Sequence, residues 1–200
     1  MADITHGTWI KDGKAVDAVY QGGVKVYGRN LLRDTATQSS DDWFNKNLGW
    51  NSDIGTYLNS RAYKTAFAWD NIRYSFSSIA PLINTTDAYT CSIYVKVVGV
   101  DPSTLSDSYH LAWFSTATSA SGSIFRINAL SGNDWQQISQ SFHFTTNVTD
   151  LSNIGHYNQS LRFEPANNLP DGVFIYFAAL KLEKGNVATP WTPAPEDIQA

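Results

Sequence analysis

The run Val173–Leu180 carries no polar group except the hydroxyl of Tyr176. A strand that is apolar on both alternating faces must be covered on both sides. One face would hold Phe174, Tyr176, Ala178, Leu180 and Leu182. The other would hold Val173, Ile175, Phe177 and Ala179, ending at Lys181. The segment therefore predicts a central strand of a layered β protein. Glu183, Lys184 and Gly185 punctuate it. Pro190, Pro193 and Pro195 then remove backbone donors, so no ladder partner can continue there. The tail is expected to run extended over the body, with Trp191 as its apolar anchor.

Other segments alternate in the same way. Tyr89–Val98 is the cleanest: Tyr89, Cys91, Ile93, Val95 and Val97 face the core, while Thr90, Ser92, Tyr94 and Lys96 face away. Asn71–Ile79 points Ile72, Tyr74 and Phe76 inward and Arg73 outward. In residues 108–115, Trp113 shares a face with Tyr109 and Leu111, opposite His110 and Phe114. Residues 62–69, 124–130, 136–145 and 159–163 complete the set. Strands separated by turns, with no amphipathic helix, indicate an all-β antiparallel sandwich, and the strand count suits a jelly roll. Residues 1–28 read as a small appended β-meander, because Asp12-Gly13 and Gly22-Gly23 are both hairpin signals. A meander of that size has too little apolar mass to stand alone. It must pack on the main domain, on a copy of itself or on another protein. The sandwich domain then spans residues 29–200.

Several function classes are excluded at this level. The formal charge is −4 and no run of Lys or Arg occurs, so the footprint of a nucleic-acid binder is missing. The single cysteine, Cys91, allows neither an internal disulfide nor a cysteine zinc cluster and is expected as a core thiol. No apolar run approaches the ~20 residues of a membrane span, and Met1–Ile4 does not read as the start of a signal peptide. Glycoside hydrolysis needs two flanking carboxylates. The three glutamates are Glu164, Glu183 and Glu196; Glu164 is expected to face outward and to meet Arg162 only through solvent. No histidine falls in a metal-ligand spacing, and neither a nucleophile elbow nor a phosphate loop is present. The chain is therefore read as non-catalytic.

What remains is binding. Charged residues make up only 16% of the chain and aromatic residues 14%, with seven Trp and ten Tyr. A saccharide offers patches of C–H for aromatic faces and hydroxyls for amides, carboxylates and guanidinium groups. Trp135 and Trp191 are assigned to the core and Trp9 to the N-terminal module. The long polar stretch 33–59 holds Trp43, Trp50 and Tyr57 and is expected to form a binding loop. Trp69, Trp113, Arg73, Tyr94, His110 and Arg126 complete the candidate ligand-binding set. Asp41 and Asp42 offer hard oxygen ligands to a calcium ion.

Two motifs add a resemblance. Leu180–Gly185 (Leu-Lys-Leu-Glu-Lys-Gly) followed by Ala188–Asp197 (Ala-Thr-Pro-Trp-Thr-Pro-Ala-Pro-Glu-Asp) resembles the closing signature of a domain in tail and baseplate proteins of phages of Gram-positive bacteria. Asn30-Leu31-Leu32 resembles its usual opening, so the likeness runs from Asn30 to the C-terminus. It implies a jelly-roll domain like a carbohydrate-binding module, often stiffened by calcium. It further implies a virion accessory protein, made in the host cytoplasm, that holds host cell-wall polysaccharide. Residues 1–28 would then dock on other virion proteins or form a homo-oligomer. The alternative is a structural virion module that binds no sugar.

Overall fold

The computed structural model describes residues 3–5, 8–46, 55–114, 117–120, 122–145 and 160–198, with backbone alone at 3–5, 44–46, 77, 113 and 114. The fold is all-β and antiparallel. Its body is a sandwich of two sheets. The five-stranded sheet runs β13 (Ile124–Arg126), β12 (His110–Phe114), β15 (Ser160–Pro165), β10 (Asn71–Ser75), β6 (Trp43–Lys46). The four-stranded sheet runs β14 (Gln136–His143), β11 (Ala88–Val98), β16 (Phe174–Lys184), β9 (Tyr63–Thr65). Most connections cross from one sheet to the other, as in a jelly roll. A short hairpin, β7 (Thr56–Tyr57) and β8 (Ser60–Arg61), stands between β6 and β9.

The strand read as central is central: β16 pairs with β11 on one side and β9 on the other. The inward set of β11 is as expected, and Tyr89, Cys91, Ile93, Val95 and Val97 are all fully buried. Burial pushes the Cys91 thiol well above its ordinary range. Across the core, Phe163 of β15 meets Phe177 edge to face at 5.0 Å. These side chains, with Ile72, Tyr74, Leu111 and Leu161, exclude water from between the sheets.

The faces of β16 differ from the alternation read above. Ser92 pairs with Lys181, but Tyr94 pairs with Ala178, so Ile93 opposes two residues, Ala179 and Leu180. This is a β-bulge, and Ala179 takes φ = 57° to make it. Its N–H is satisfied by Ser60 Oγ at 3.1 Å. One extra residue reverses the parity of everything after it. Ile175 and Phe177 point into the core before the bulge, and Leu180 and Leu182 do so after it. Ala178, Lys181 and Glu183 are left on the outer face.

That outer face is covered in its lower half. The N-terminal segment forms two units rather than one meander. The first is a three-stranded sheet of β1 (Asp3–Thr5), β2 (Thr8–Lys11) and β3 (Lys14–Ala15). The second is the hairpin β4 (Ala18–Gln21)–β5 (Val24–Gly28). Both turns fall on the expected pairs, with positive φ at Asp12, Gly13, Gly22 and Gly23. The hairpin and the tail close over Lys181 and Glu183. Lys25 Nζ lies 2.7 Å from Glu183 Oε2 and donates to the Lys184 carbonyl. Thr189 donates its N–H to Glu183 Oε1 at 2.8 Å. Lys181 Nζ donates to Thr189 Oγ1 and to the Pro190 carbonyl. A Cβ on Gly28 would overlap the Glu183 carboxylate, which is why glycine ends β5. Asn30 stitches the same region: its Oδ1 accepts from Leu32 N and Leu182 N, and its Nδ2 donates to the Thr192 carbonyl. Trp191 anchors the extended tail, packed against Ala62, Ala178 and Ala179 in a cluster outside the main core.

Removing one partner of a buried ion pair leaves the other charge uncompensated. Glu183→Gln is therefore expected to cost about 3–5 kcal/mol in urea unfolding. Lys184→Met, which breaks the half-exposed pair with Asp87, should stay within about 1 kcal/mol. Burial pulls the Lys181 ammonium down to about 8 against the attraction of Glu183. In the unfolded chain a lysine titrates near ~10.4. Between those values the unfolded chain holds a proton that the folded chain has released, so stability should rise with pH across that window. Urea midpoints for Lys181→Met should lack that rise.

Candidate functional site

Alternation on the five-stranded sheet sends one set of side chains away from the core. On β10 these are Asn71 and Arg73, on β15 Ser160, Arg162 and Glu164, and on β12 His110 and Ala112. Register then sets their neighbours. Arg73 faces Arg162, Glu164 faces Ala112, and His110 faces Arg126 of β13. Ala112 contributes no more than a methyl group beside Glu164.

The outer face of an antiparallel sheet is ordinarily solvated. Here Asn71, Arg73, Ser160 and Glu164 are all buried, and Glu164 has 0% of its surface exposed. Its carboxylate sits 3.1 Å from Arg162 Nη2. Burial pushes the carboxyl up, and Arg162 and Arg73 only partly offset this, so it titrates above the ordinary glutamate range. Among the described residues, Asn71 Oδ1, His110 Nδ1, Ser160 Oγ and Glu164 Oε2 are buried without a hydrogen-bond partner. A buried polar atom left unpaired costs about 1–3 kcal/mol. Four such atoms on one sheet face need a partner such as water or a ligand.

At the margin of this face stands Trp69. It is 56% exposed and takes φ = 67°. A bulky residue in the left-handed region is a conformational outlier. The surrounding loop enforces it. Trp69 N donates to the Pro165 carbonyl, and Asn71 Nδ2 donates to the Trp69 carbonyl at 2.7 Å. Ala68 N donates to Asn168 Oδ1, and Leu169 N to the Ala66 carbonyl. Thr65 Oγ1 donates to Asp70, whose carboxyl is raised by burial against that bond. Phe67, in the same loop, is also exposed. The loop presents an indole and a benzyl ring at the margin of a face whose guanidinium, carboxyl and amide groups are largely enclosed. That combination is suited to a polyhydroxylated ligand with an apolar patch.

The candidate residues separate onto different parts of the molecule. Trp69, Arg73, His110 and Arg126 come together on this face; Arg126 is exposed and pairs with Asp107 at 2.9 Å. Tyr57 and Tyr94 lie on the outer face of the other sheet. Trp43 is in the core, edge-on to Tyr74 at 5.0 Å, with its Nε1 donating to the Arg33 carbonyl. Its segment is an edge strand, not a binding loop, which removes its ring from any groove. Trp113 pairs with Phe163 in the ladder, and its side chain lies outside the described residues. Trp50 also lies outside them. Trp135, expected in the core, is half-buried on the outer face of the four-stranded sheet. Asp41 is exposed and Asp42 half-buried, and among the described residues no three His, Cys, Asp or Glu side chains converge. Asn71, Arg162 and Glu164 were missed by the sequence reading. The signal was present as a charged i, i+2 pair between Leu161, Phe163 and Pro165. Its burial was not legible, and the expected solvent-separated pair is in fact a direct, enclosed one.

No protein-family model and no curated protein matches the chain. Solved structures do. The CBM22-1 xylan-binding domain of Xyn10C from Paenibacillus barcinonensis is 12% identical, with 82% of this chain and 99% of that chain covered and a TM-score of 0.46. The CBM22-1–GH10 modules of endo-1,4-beta-D-xylanase 10B from Clostridium thermocellum are 13% identical, covering 80% of this chain and 29% of that chain, with a TM-score of 0.44. The receptor-binding domain of botulinum neurotoxin C/D mosaic serotype is 10% identical, covering 84% and 47%, with a TM-score of 0.48.

If Trp69 is held for its ring and not for the fold, Trp69→Gly should leave the urea midpoint unchanged or raise it, because glycine relieves a strain of about 1–2 kcal/mol. A clear loss of stability in Trp69→Gly would make Trp69 a structural residue.

Proposed function

We propose that the chain is a non-catalytic saccharide-binding protein whose ligand lies across the outer face of the five-stranded sheet. The observation that carries this reading is the pairing of unsatisfied buried polar atoms with an exposed indole held in a strained conformation beside them. Trp69 stacks on the C–H face of a sugar ring. The partly exposed His110 and the exposed Arg126 supply polar contacts to sugar hydroxyls. Arg73, Arg162 and Arg126 set the polarity of the surface. Glu164, enclosed beside a guanidinium, is read as part of a binding surface, since glycosidic cleavage uses two carboxyl groups flanking the bond.

The finer reading joins this site to the closing motif. The protein is a virion accessory of a phage of Gram-positive bacteria and holds the particle to host cell-wall polysaccharide. Many copies, each binding weakly, make such an attachment firm. Residues 1–28 dock it on other virion proteins or on its own copies. The outward side of β4–β5 favours that role, because Tyr20, Val24 and Val26 are exposed there.

The test uses fluorescently tagged protein on Gram-positive cells and on isolated walls. Labelling should saturate, survive removal of surface protein and vanish after polysaccharide extraction. Trp69→Ala should weaken binding about tenfold, the effect of losing a stacked ring of roughly 1.4 kcal/mol. Labelling that ignores polysaccharide extraction, or that Trp69→Ala leaves intact, would count against the reading.

A further inference from the structure

We propose that the upper half of the outer face of the four-stranded sheet is a second saccharide-binding surface, built from Tyr57, Tyr94, Trp135 and Tyr176. It extends the reading above from one face of the sandwich to both, and takes a ligand of the same class.

Four observations meet here. The first is the chemistry of the rings. Tyr57 stacks on Trp135 with centroids 4.5 Å apart and planes 15° apart, and lies 5.3 Å from Tyr94. Trp135 in turn stands edge-on to Tyr176 at 6.5 Å. All four are half-buried. Their polar tips, three phenol hydroxyls and one indole N–H, are neither bonded by described residues nor buried. Rings packed on the sheet with their polar tips at the water boundary suit a wet interface.

The second is backbone strain. Tyr57 is carried on the β7–β8 hairpin, whose turn places Leu58 at φ = 52° and Asn59 at φ = 62°. Such a turn favours asparagine and glycine. A leucine there is both strained and 42% exposed. It parallels Trp69 at the other face: a bulky apolar side chain forced out into solvent by a left-handed backbone.

The third is a cleft at the end of the cluster. It is an open, shallow groove of about 370 Å³ lined by Lys96–Val100, Asn133 and Asp134. Small-molecule sites occupy roughly 300–1,000 Å³. The cleft wall is rigid, since Asn133 Nδ2 donates to the carbonyls of Val97 and Val100, and Gln136 accepts from Ser131 N. Its charges, Lys96 and Asp134, cancel, which fits a neutral sugar and not an anion.

The fourth is where the cover stops. The tail and N-terminal hairpin close over Thr90, Ser92, Lys181 and Glu183 and reach as far as Gln137, which donates to the Thr189 carbonyl. Beyond Tyr94 and Ala178 the described residues on the same sheet face are the aromatic cluster, which meets the tail only at Trp191.

The test is a titration of the full chain, followed through its tryptophan indole N–H resonances, with polysaccharide released from Gram-positive cell walls. The signals of Trp69 and Trp135 are assigned by substitution to Phe. Both are expected to shift, and the Trp135 shift should persist in Trp69→Ala. In Tyr57→Ala the Trp135 response should fall at least severalfold while that of Trp69 is kept. A moving Trp69 with a still Trp135 overturns the second surface and leaves the first reading standing. A moving Trp135 with a still Trp69 does the reverse, and no movement at either overturns both. If Trp135 shifts with protein concentration alone, alongside dimers in sedimentation, the occupant is a second copy of the chain and the proposal fails.

Discussion

Glu183 has no exposed surface, and three separate parts of the chain meet at its carboxylate. Lys25 arrives from the N-terminal hairpin, Thr189 from the tail and Lys181 from two residues back on the same strand. A buried carboxylate is costly unless its partners are numerous and well placed. This one is held by an ammonium, a backbone N–H and a hydroxyl, so the desolvation is offset only while all three segments stay docked. The tail and the hairpin therefore report on each other through a single group. Neither could leave without stranding charge.

That hub exists because of Ala179. Without the extra residue in β16, Lys181 and Glu183 would point between the sheets and Leu180 and Leu182 would face the tail. A two-charge step in the middle of an apolar strand is tolerated because the bulge turns it outward at the point where polar cover begins. The same shift divides the outer face in two, a charged half beneath the tail and hairpin and an aromatic half that meets the tail only at Trp191. The placement of the closing segment and of the second candidate surface thus share one local cause.

Legibility followed the range of the determining interaction. The inward set of β11 could be read because strict alternation is local. The parity of β16 could not, since a bulge depends on the partner strand and on Ser60 to receive its N–H. Trp43 was misread because an edge strand in a polar stretch carries no periodic signal. The juxtaposition of Arg73 with Arg162, and of His110 with Arg126, depends on register between strands distant in sequence. Each residue was recognisable as outward-facing, but their meeting was not. The enclosure of Glu164 is of the same kind. The tail was legible in part: its prolines and Trp191 foretold an extended, anchored course, but its contacts with Glu183, Lys181 and Asn30 depend on the bulge and could not be read.

The placement of β1–β5 on one side of the sandwich has a directional consequence. The hairpin and the tail both lie against the four-stranded sheet, and the exposed valines and tyrosine of β4–β5 look outward from there. A support gripping that hairpin holds the molecule by its back. The Trp69 face, on the far sheet, then points away from the support.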